Sequence, residues 1–353
     1  MPLPAGLEKL LTAPGPSGRE SGAATVFREA AEGFATEIRS DVVGSSTALV
    51  PGVAGGKRLA IVGHIDEIGL MITHVDDDGF AWFGGVGGWD PVNLVGQRLE
   101  IHTSTGDVVA GVVGKKPIHL LQSDEREKAP KLKDLHIDIG ATSGEEARGR
   151  VRVGDWAVVA GSPVELAPGR WASRSMDNRL GCWVALEAAR LVAEAGGAPG
   201  DVLACAVAQE ETSFGGATTT AFSLQPDVAI VVDVTHATDA PSIDKRQEGD
   251  HGLGSGPTLN AGSVVHPRVL ALLRETADEL AIPYGEEAAG RGTSTDADAI
   301  HLSRAGVPCG VVSIPLRYMH SPVELVQLSD VEACAQLIAA FAQKLTADTT
   351  FIR

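Results

Sequence analysis

Hydrophobic and polar positions along this chain follow two rhythms. Ala23, Phe27, Ala30, Ala31 and Phe34 recur at helical spacing and predict an amphipathic helix within residues 21–38. Short apolar runs then appear at Arg58 to Asp66 (RLAIVGHID), Val202 to Val207, Asp227 to Asp233 (DVAIVVD) and Pro308 to Pro315, each the length of a buried strand. Helical stripes separate them. Leu180, Trp183, Val184, Ala188, Leu191 and Val192 mark a helix within residues 174–197, and Leu270, Leu273 and Leu280 mark one running from Pro267 to Ala281. Ser329 and Glu332 form a capping box that opens a final helix with Leu337, Ile338 and Phe341 on its apolar face. Strands alternating with helices predict an α/β fold.

Between about Gly69 and about Glu165 the period shortens to two. Arg98 to Thr103 and Val108 to Val113 flank the hairpin turn Ser104-Thr105-Gly106-Asp107, and Val151 to Val159 reads as another strand. One short helix follows from the capping box of Ser143 and Glu146. These features predict a β-rich domain of residues 69–165 inserted into an α/β domain of residues 1–68 and 166–353.

Composition narrows the partners. Hydrophobic residues make up 44% of the 353, enough for a packed core, and the net charge of −17 repels phosphate backbones and anionic lipid. No nucleic acid or membrane partner is expected. No apolar run approaches the roughly 20 residues that span a bilayer, and the N-terminus lacks the pattern of a secretory signal. Cys182, Cys205, Cys309 and Cys334 have no CxxC spacing and lie in apolar runs, so no disulfide and a reducing, cytoplasmic setting are expected.

Several of the apolar runs end in groups able to bind metal. His64 and Asp66 close one, Glu210 and Glu211 follow another, Asp233 closes a third, and His320 lies beyond the fourth; Asp177 stands at the start of a helix. Each has an ordinary structural alternative: a hydrogen-bonded strand-end histidine, a solvated carboxylate pair, an Asp N-cap. In open α/β sheets, however, ligand sites form beyond the carboxyl ends of the strands. The set holds imidazoles and carboxylates and no thiolate, which suits Zn, Co or Mn. Two ions ~3.5–4 Å apart need a shared acid, ligands unique to each, and a free carboxylate to move a proton. His119 and the charged run from Asp124 to Lys133 read as surface features.

Taken together, His64-Ile65-Asp66-Glu67-Ile68-Gly69, Asp177-Asn178-Arg179, Gln209-Glu210-Glu211, Asp233 and Arg317-Tyr318-Met319-His320-Ser321 resemble the tetrahedral aminopeptidase family of dinuclear metallopeptidases, which includes glutamyl aminopeptidases. The resemblance covers nearly the whole chain. It implies a mixed-sheet α/β catalytic domain with helices on both faces, interrupted by a barrel-like β-rich dimerisation domain, and assembly into dodecamers. It further implies two divalent ions per subunit, Zn or Co with Mn as a third option. His64 and Asp233 would share one ion with a bridging Asp177, and Glu211 and His320 the other; Asp66 would orient His64. Glu210 would be the general base that activates a water between the ions, and the reaction would remove N-terminal residues from short peptides.

The chain departs from the common family pattern after Glu211, with Thr212-Ser213-Phe214-Gly215-Gly216, which leaves the preferred side chain open. Arg317, Lys245 and Arg246 would favour an acidic one if they faced the pocket, but read as surface or structural residues. Two alternatives stay in view. A carboxylate-only hydrolase such as a glycosidase needs two acids flanking one bond, whereas Glu210 and Glu211 as strand neighbours diverge and both histidines go unused. A non-catalytic oligomeric scaffold of the same fold would bind peptide or metal without turnover.

Overall fold

The computed structural model describes residues 1–353, apart from the side chains at positions 124 and 125. Its main body is an 11-stranded mixed sheet. Four parallel strands form the centre, in the order Val202–Val207, Leu59–His64, Val228–His236 and Cys309–Arg317. The first two are buried at every position, and the other two at all but their last residues. That is why they read as continuous apolar runs: a parallel sheet is covered on both faces.

One face carries the helix Met176–Glu194, with Leu328–Gln343 packed beside it. At Gly63 a β-carbon would come within 2.4 Å of the Gly181 backbone, so a side chain at either glycine would push helix and strand apart. The other face is covered by Gly215–Leu224 and the turn Ala297–Ile300, against Ala60, Val62 and Ala229. The antiparallel strands Glu37–Ser40 and Ser46–Val50 extend one edge, and Glu324–Gln327, Arg170–Ser173 and Val164–Ala167 the other.

The chain leaves this sheet after His64 and rejoins it at Val164–Ala167. In between, Gly69–Val75, Phe80–Val86, His136–Asp138, Val108–Gly114, Arg98–His102 and Trp156–Val159 close into a six-stranded barrel. The barrel buries its own core, including Leu70, Ile72, Leu99, Ile101 and Ile137. The expected hairpin pairs in register from Arg98 with Val112 to His102 with Val108. His119 is exposed on the turn Ile118–Leu120. The charged run 124–133 lies partly outside the described side chains; its Lys131 and Lys133 are exposed.

Several local expectations change. The first of these helices stops at Ala31, and Glu37–Ser40 is a strand at the sheet edge. Only Trp156–Val159 of the run from Val151 is a strand, because Val151 caps the helix Gly144–Arg150 and Gly154 turns the chain at φ 93°. Ser143 does accept from the Glu146 N–H, but the Glu146 carboxylate reaches back to Thr142 rather than Ser143. The final helix begins at Leu328 without a side-chain cap, and Asp330 instead accepts N–H bonds from Gly254 and Gly256. All four cysteines are buried as free thiols.

Candidate metal centre

At the carboxyl edge of the parallel strands, the backbone brings the ligating side chains of His64, Asp177, Glu210, Glu211, Asp233 and His320 into one cluster. His64 is the last residue of Leu59–His64. Asp233 is not at a strand end: Val228–His236 runs three residues past it, and its side chain stands on the cavity side of the sheet. Glu210 and Glu211 also differ from expectation. The strand ends at Val207, Gln209 takes a left-handed φ of 61°, and the two acids begin the helical turn Glu210–Ser213. Phe214 likewise turns left-handed, joining that turn to the next helix.

Asp177 is not an N-cap either. Ser175 holds that place at φ 58°, Asp177 and Asn178 are non-helical, and a cis peptide joins them. The Asp177 side chain sits between two imidazoles. Its Oδ1 is 3.0 Å from His64 Nε2 and its Oδ2 is 3.3 Å from His320 Nε2. Glu211 Oε1 is 3.3 Å from the same His320 nitrogen. On the other side Glu210 Oε2 and Asp233 Oδ1 lie 3.8 and 4.0 Å from His64 Nε2.

Both rings are held by their other nitrogen. His64 Nδ1 is 3.2 Å from the Asp66 carbonyl oxygen and 3.5 Å from its carboxylate, and His320 Nδ1 donates to the Gly88 carbonyl at 2.8 Å. A proton fixed on Nδ1 aims Nε2 at the cluster, so that Nε2 becomes the ligating atom once it is deprotonated. The Asp66 carboxylate has a further task. It accepts the N–H groups of Glu210 and Glu211, both at 3.1 Å, and the Ser17 hydroxyl, and so pins the turn that carries the two acids.

Sequence reasoning did not single out Glu324. It is buried at the start of the strand Glu324–Gln327, and its two oxygens accept the N–H of Asp177 at 3.1 Å and of His320 at 3.0 Å. An acid three residues before an apolar strand end carries no distinctive spacing, so its pairing with Asp177 was visible only in space. Asp296 is likewise fully buried beside the cluster, with both carboxylate oxygens unpartnered.

The charges oppose one another. Burial works against an ionised Asp177, but the two histidines hold it below the usual carboxylate range. Burial also disfavours a charged His320, yet Asp177 and Glu211 raise it to about 11. Burial pushes Glu210 up to about 8, and it raises Glu211 and, further, Asp233. So many buried acids need positive charge among them.

The donor set fits divalent ions. His64, Glu210 and Asp233 offer atoms within 4.8 Å of one another, as do His64, Asp177 and Glu211. Ligand atoms around a tetrahedral zinc stand roughly 3.3 Å apart, given bonds of about 2 Å. The spacings about Asp177 match that. Glu211 Oε1 is buried without a well-formed hydrogen bond, an acceptor with capacity left for a cation.

Comparison with known proteins agrees with this geometry. The M42 glutamyl aminopeptidase family matches residues 44–337. The chain belongs to that family. It is 32% identical to the lysyl aminopeptidase of Pyrococcus furiosus over 96% of each chain. It superposes on a TET aminopeptidase of a marine sediment thaumarchaeote with a TM-score of 0.91, at 35% identity and 97% coverage of both. A TET peptidase of Pyrococcus horikoshii, which can assemble into a tetrahedron or a large octahedral shell, matches with a TM-score of 0.84 at 30% identity, covering 96% of this chain and 99% of that one. This M42 protein is a peptide hydrolase, and no helix among its described residues is long and apolar enough to cross a membrane.

Proposed function

We propose that this chain is a cytoplasmic, metal-dependent aminopeptidase that removes N-terminal residues from short peptides. The observation that carries the reading is Asp177 facing one imidazole with each of its two oxygens. In this assignment Asp177 would serve both of two divalent ions, Zn or Co with Mn as a third option. His64 and Asp233 complete one site, and Glu211 and His320 the other. When bound, the ions would polarise the scissile carbonyl and make a water between them more acidic.

The chain's own groups do the rest. Glu210 reaches the cluster from the helical turn; burial alone disfavours its carboxylate, and bound ions beside it would restore the ionised form that a base requires. It takes a proton from the attacking water and returns it to the leaving amine, a general base and then a general acid. Asp66 positions both His64 and the backbone of Glu210.

We further assign residues 1–68 and 166–353 to the catalytic domain and 69–165 to a dimerisation domain, within a homo-oligomer that is a dodecamer; a related TET1 structure, a dodecamer, supports the assembly. Against the glycosidase alternative, each of the two carboxylates lies beside a histidine that such a mechanism would leave unused, Glu210 beside His64 and Glu211 beside His320.

The test is hydrolysis of aminoacyl chromogenic substrates by protein stripped with chelator and refilled with Zn, Co or Mn. Activity lost on stripping and regained on refilling is expected. Activity that survives stripping would refute the metal mechanism, and silence after confirmed refilling would favour the scaffold reading.

A further inference from the structure

A cavity of about 680 Å³ opens from the metal cluster along the strand Val228–His236. Asp233 and Thr235 both line it, two residues apart on one strand face, roughly 7 Å from each other. Glu287, on the strand Gly285–Ala289, occupies the far position. Its carboxylate accepts from Thr235 Oγ1 at 2.7 Å, Ser313 Oγ at 3.2 Å and Asn260 Nδ2 at 3.2 Å.

All three of these donors are neutral. Among the described residues Glu287 has no lysine or arginine partner, and the nearest basic group is His251 Nε2 at 3.9 Å. The two cations of the cavity wall are already engaged: Lys245 with Asp250 at 2.5 Å, and Arg246 with Asp244 at 2.7 Å. Arg317, whose charge would also have favoured an acidic substrate, forks onto Asp239. Glu286 on the same wall is paired with Arg274 at 2.6 Å, so away from the metal cluster the wall acids without a lysine or arginine partner among the described residues are Glu287 and the exposed Glu248.

A second observation points the same way. Asn260 lines the cavity and is 4% exposed; its Nδ2 is committed to Glu287, and its Oδ1 is buried without a donor. A carboxylate without counter-charge beside an amide oxygen without a donor suits a ligand that is cationic and carries several N–H groups. A lysine stem of four carbons extends about 6 Å, comparable with the roughly 7 Å along the strand from Asp233 to Thr235, whose hydroxyl donates to Glu287.

We infer that this is the pocket for the side chain of the substrate's N-terminal residue, and that Glu287 selects lysine or arginine there. The inference rests on the aminopeptidase reading and names its substrate class. The net charge of −17 acts in the same direction at long range, favouring the approach of cationic peptides.

The experiment compares kcat/KM of the metal-loaded protein on lysyl, arginyl, leucyl and glutamyl chromogenic substrates, for the native sequence and for Glu287→Gln and Glu287→Asp. The basic substrates should exceed the other two at least tenfold. In E287Q, which keeps an acceptor oxygen for the surrounding donors, the lysyl-to-leucyl ratio should fall at least tenfold. E287D, which keeps the charge, should recover part of it. A native preference for leucyl or glutamyl, or an unchanged ratio in E287Q, overturns this assignment while leaving the aminopeptidase reading intact. Turnover of none of the four by metal-loaded protein overturns that reading and this one with it.

Discussion

His320 donates its Nδ1–H to the carbonyl oxygen of Gly88 at 2.8 Å, so a segment that leaves the barrel sets the tautomer of a residue of the main sheet edge. A β-carbon on Gly88 would lie 3.2 Å from that same nitrogen. Gly88→Ala should therefore leave the fold intact but tilt the ring. Loss of such an orienting bond typically costs 10- to 100-fold in metal affinity. Competition with a chromogenic chelator should show one ion weakened by that factor and the other nearly unchanged.

Glu210→Gln keeps size and hydrogen bonding but removes the proton carrier. The variant should retain both ions by elemental analysis and lose at least ~10²-fold in kcat, the lower end of a general base's contribution. Full activity with metals in place would show that another group moves the proton.

Glu324 holds the two halves of the site together, one oxygen on the Asp177 amide and one on the His320 amide. In Glu324→Gln an NH2 group faces one of those amides, donor against donor, at the cost of roughly 1–3 kcal/mol for the unsatisfied pair. Thermal unfolding should drop accordingly, and metal affinity should fall with it, although Glu324 contacts no ion in the proposed assignment.

The same cluster sets the pH response of metal uptake. Without ions, His320 is raised to about 11 by Asp177 and Glu211, despite burial, and Glu210 is raised to about 8, chiefly by burial. At pH 7 both therefore hold protons, and His320 must release its own before Nε2 becomes a ligand. The sign follows: bound metal disfavours the protonated form, so affinity should rise with pH up to about 11 and weaken as pH falls. Titration calorimetry in buffers of different ionisation enthalpy should register net proton release on binding. Affinity independent of pH between 6 and 9 would contradict it.

What could be read from the sequence had a physical mark on it. The parallel strands are buried on both faces, so their runs are continuous, and the ligands beyond them interrupt apolar texture with imidazole or carboxylate. His64, Glu210, Glu211, Asp233 and His320 stood out for that reason, and the structure brings them within a few ångströms. The position of Asp233 within its strand was not legible, because Val234 continues the pattern and only the pairing with Cys309–Arg317 sets the length.

Other partners left no trace in one dimension. Gly88 acts through its backbone, which every residue shares. Glu287 sits in GEEAA, where one acid is paired with Arg274 and the other faces the cavity, and alternation alone does not say which. Glu324 looks like any acid at the start of a strand. Each depends on which segments meet across the fold, and that is decided by register and topology.

The proposed ligands are spread from His64, early in the chain, to His320, near its end, and the last of them also leans on the Gly88 carbonyl just past the barrel strand Phe80–Val86. During synthesis the first imidazole leaves the ribosome long before the second has been translated. Under the proposed assignment the metal site would be complete only after both the insert and the final strands have docked. In the proposed assignment, a copy truncated before His320 would lack a ligand of one ion.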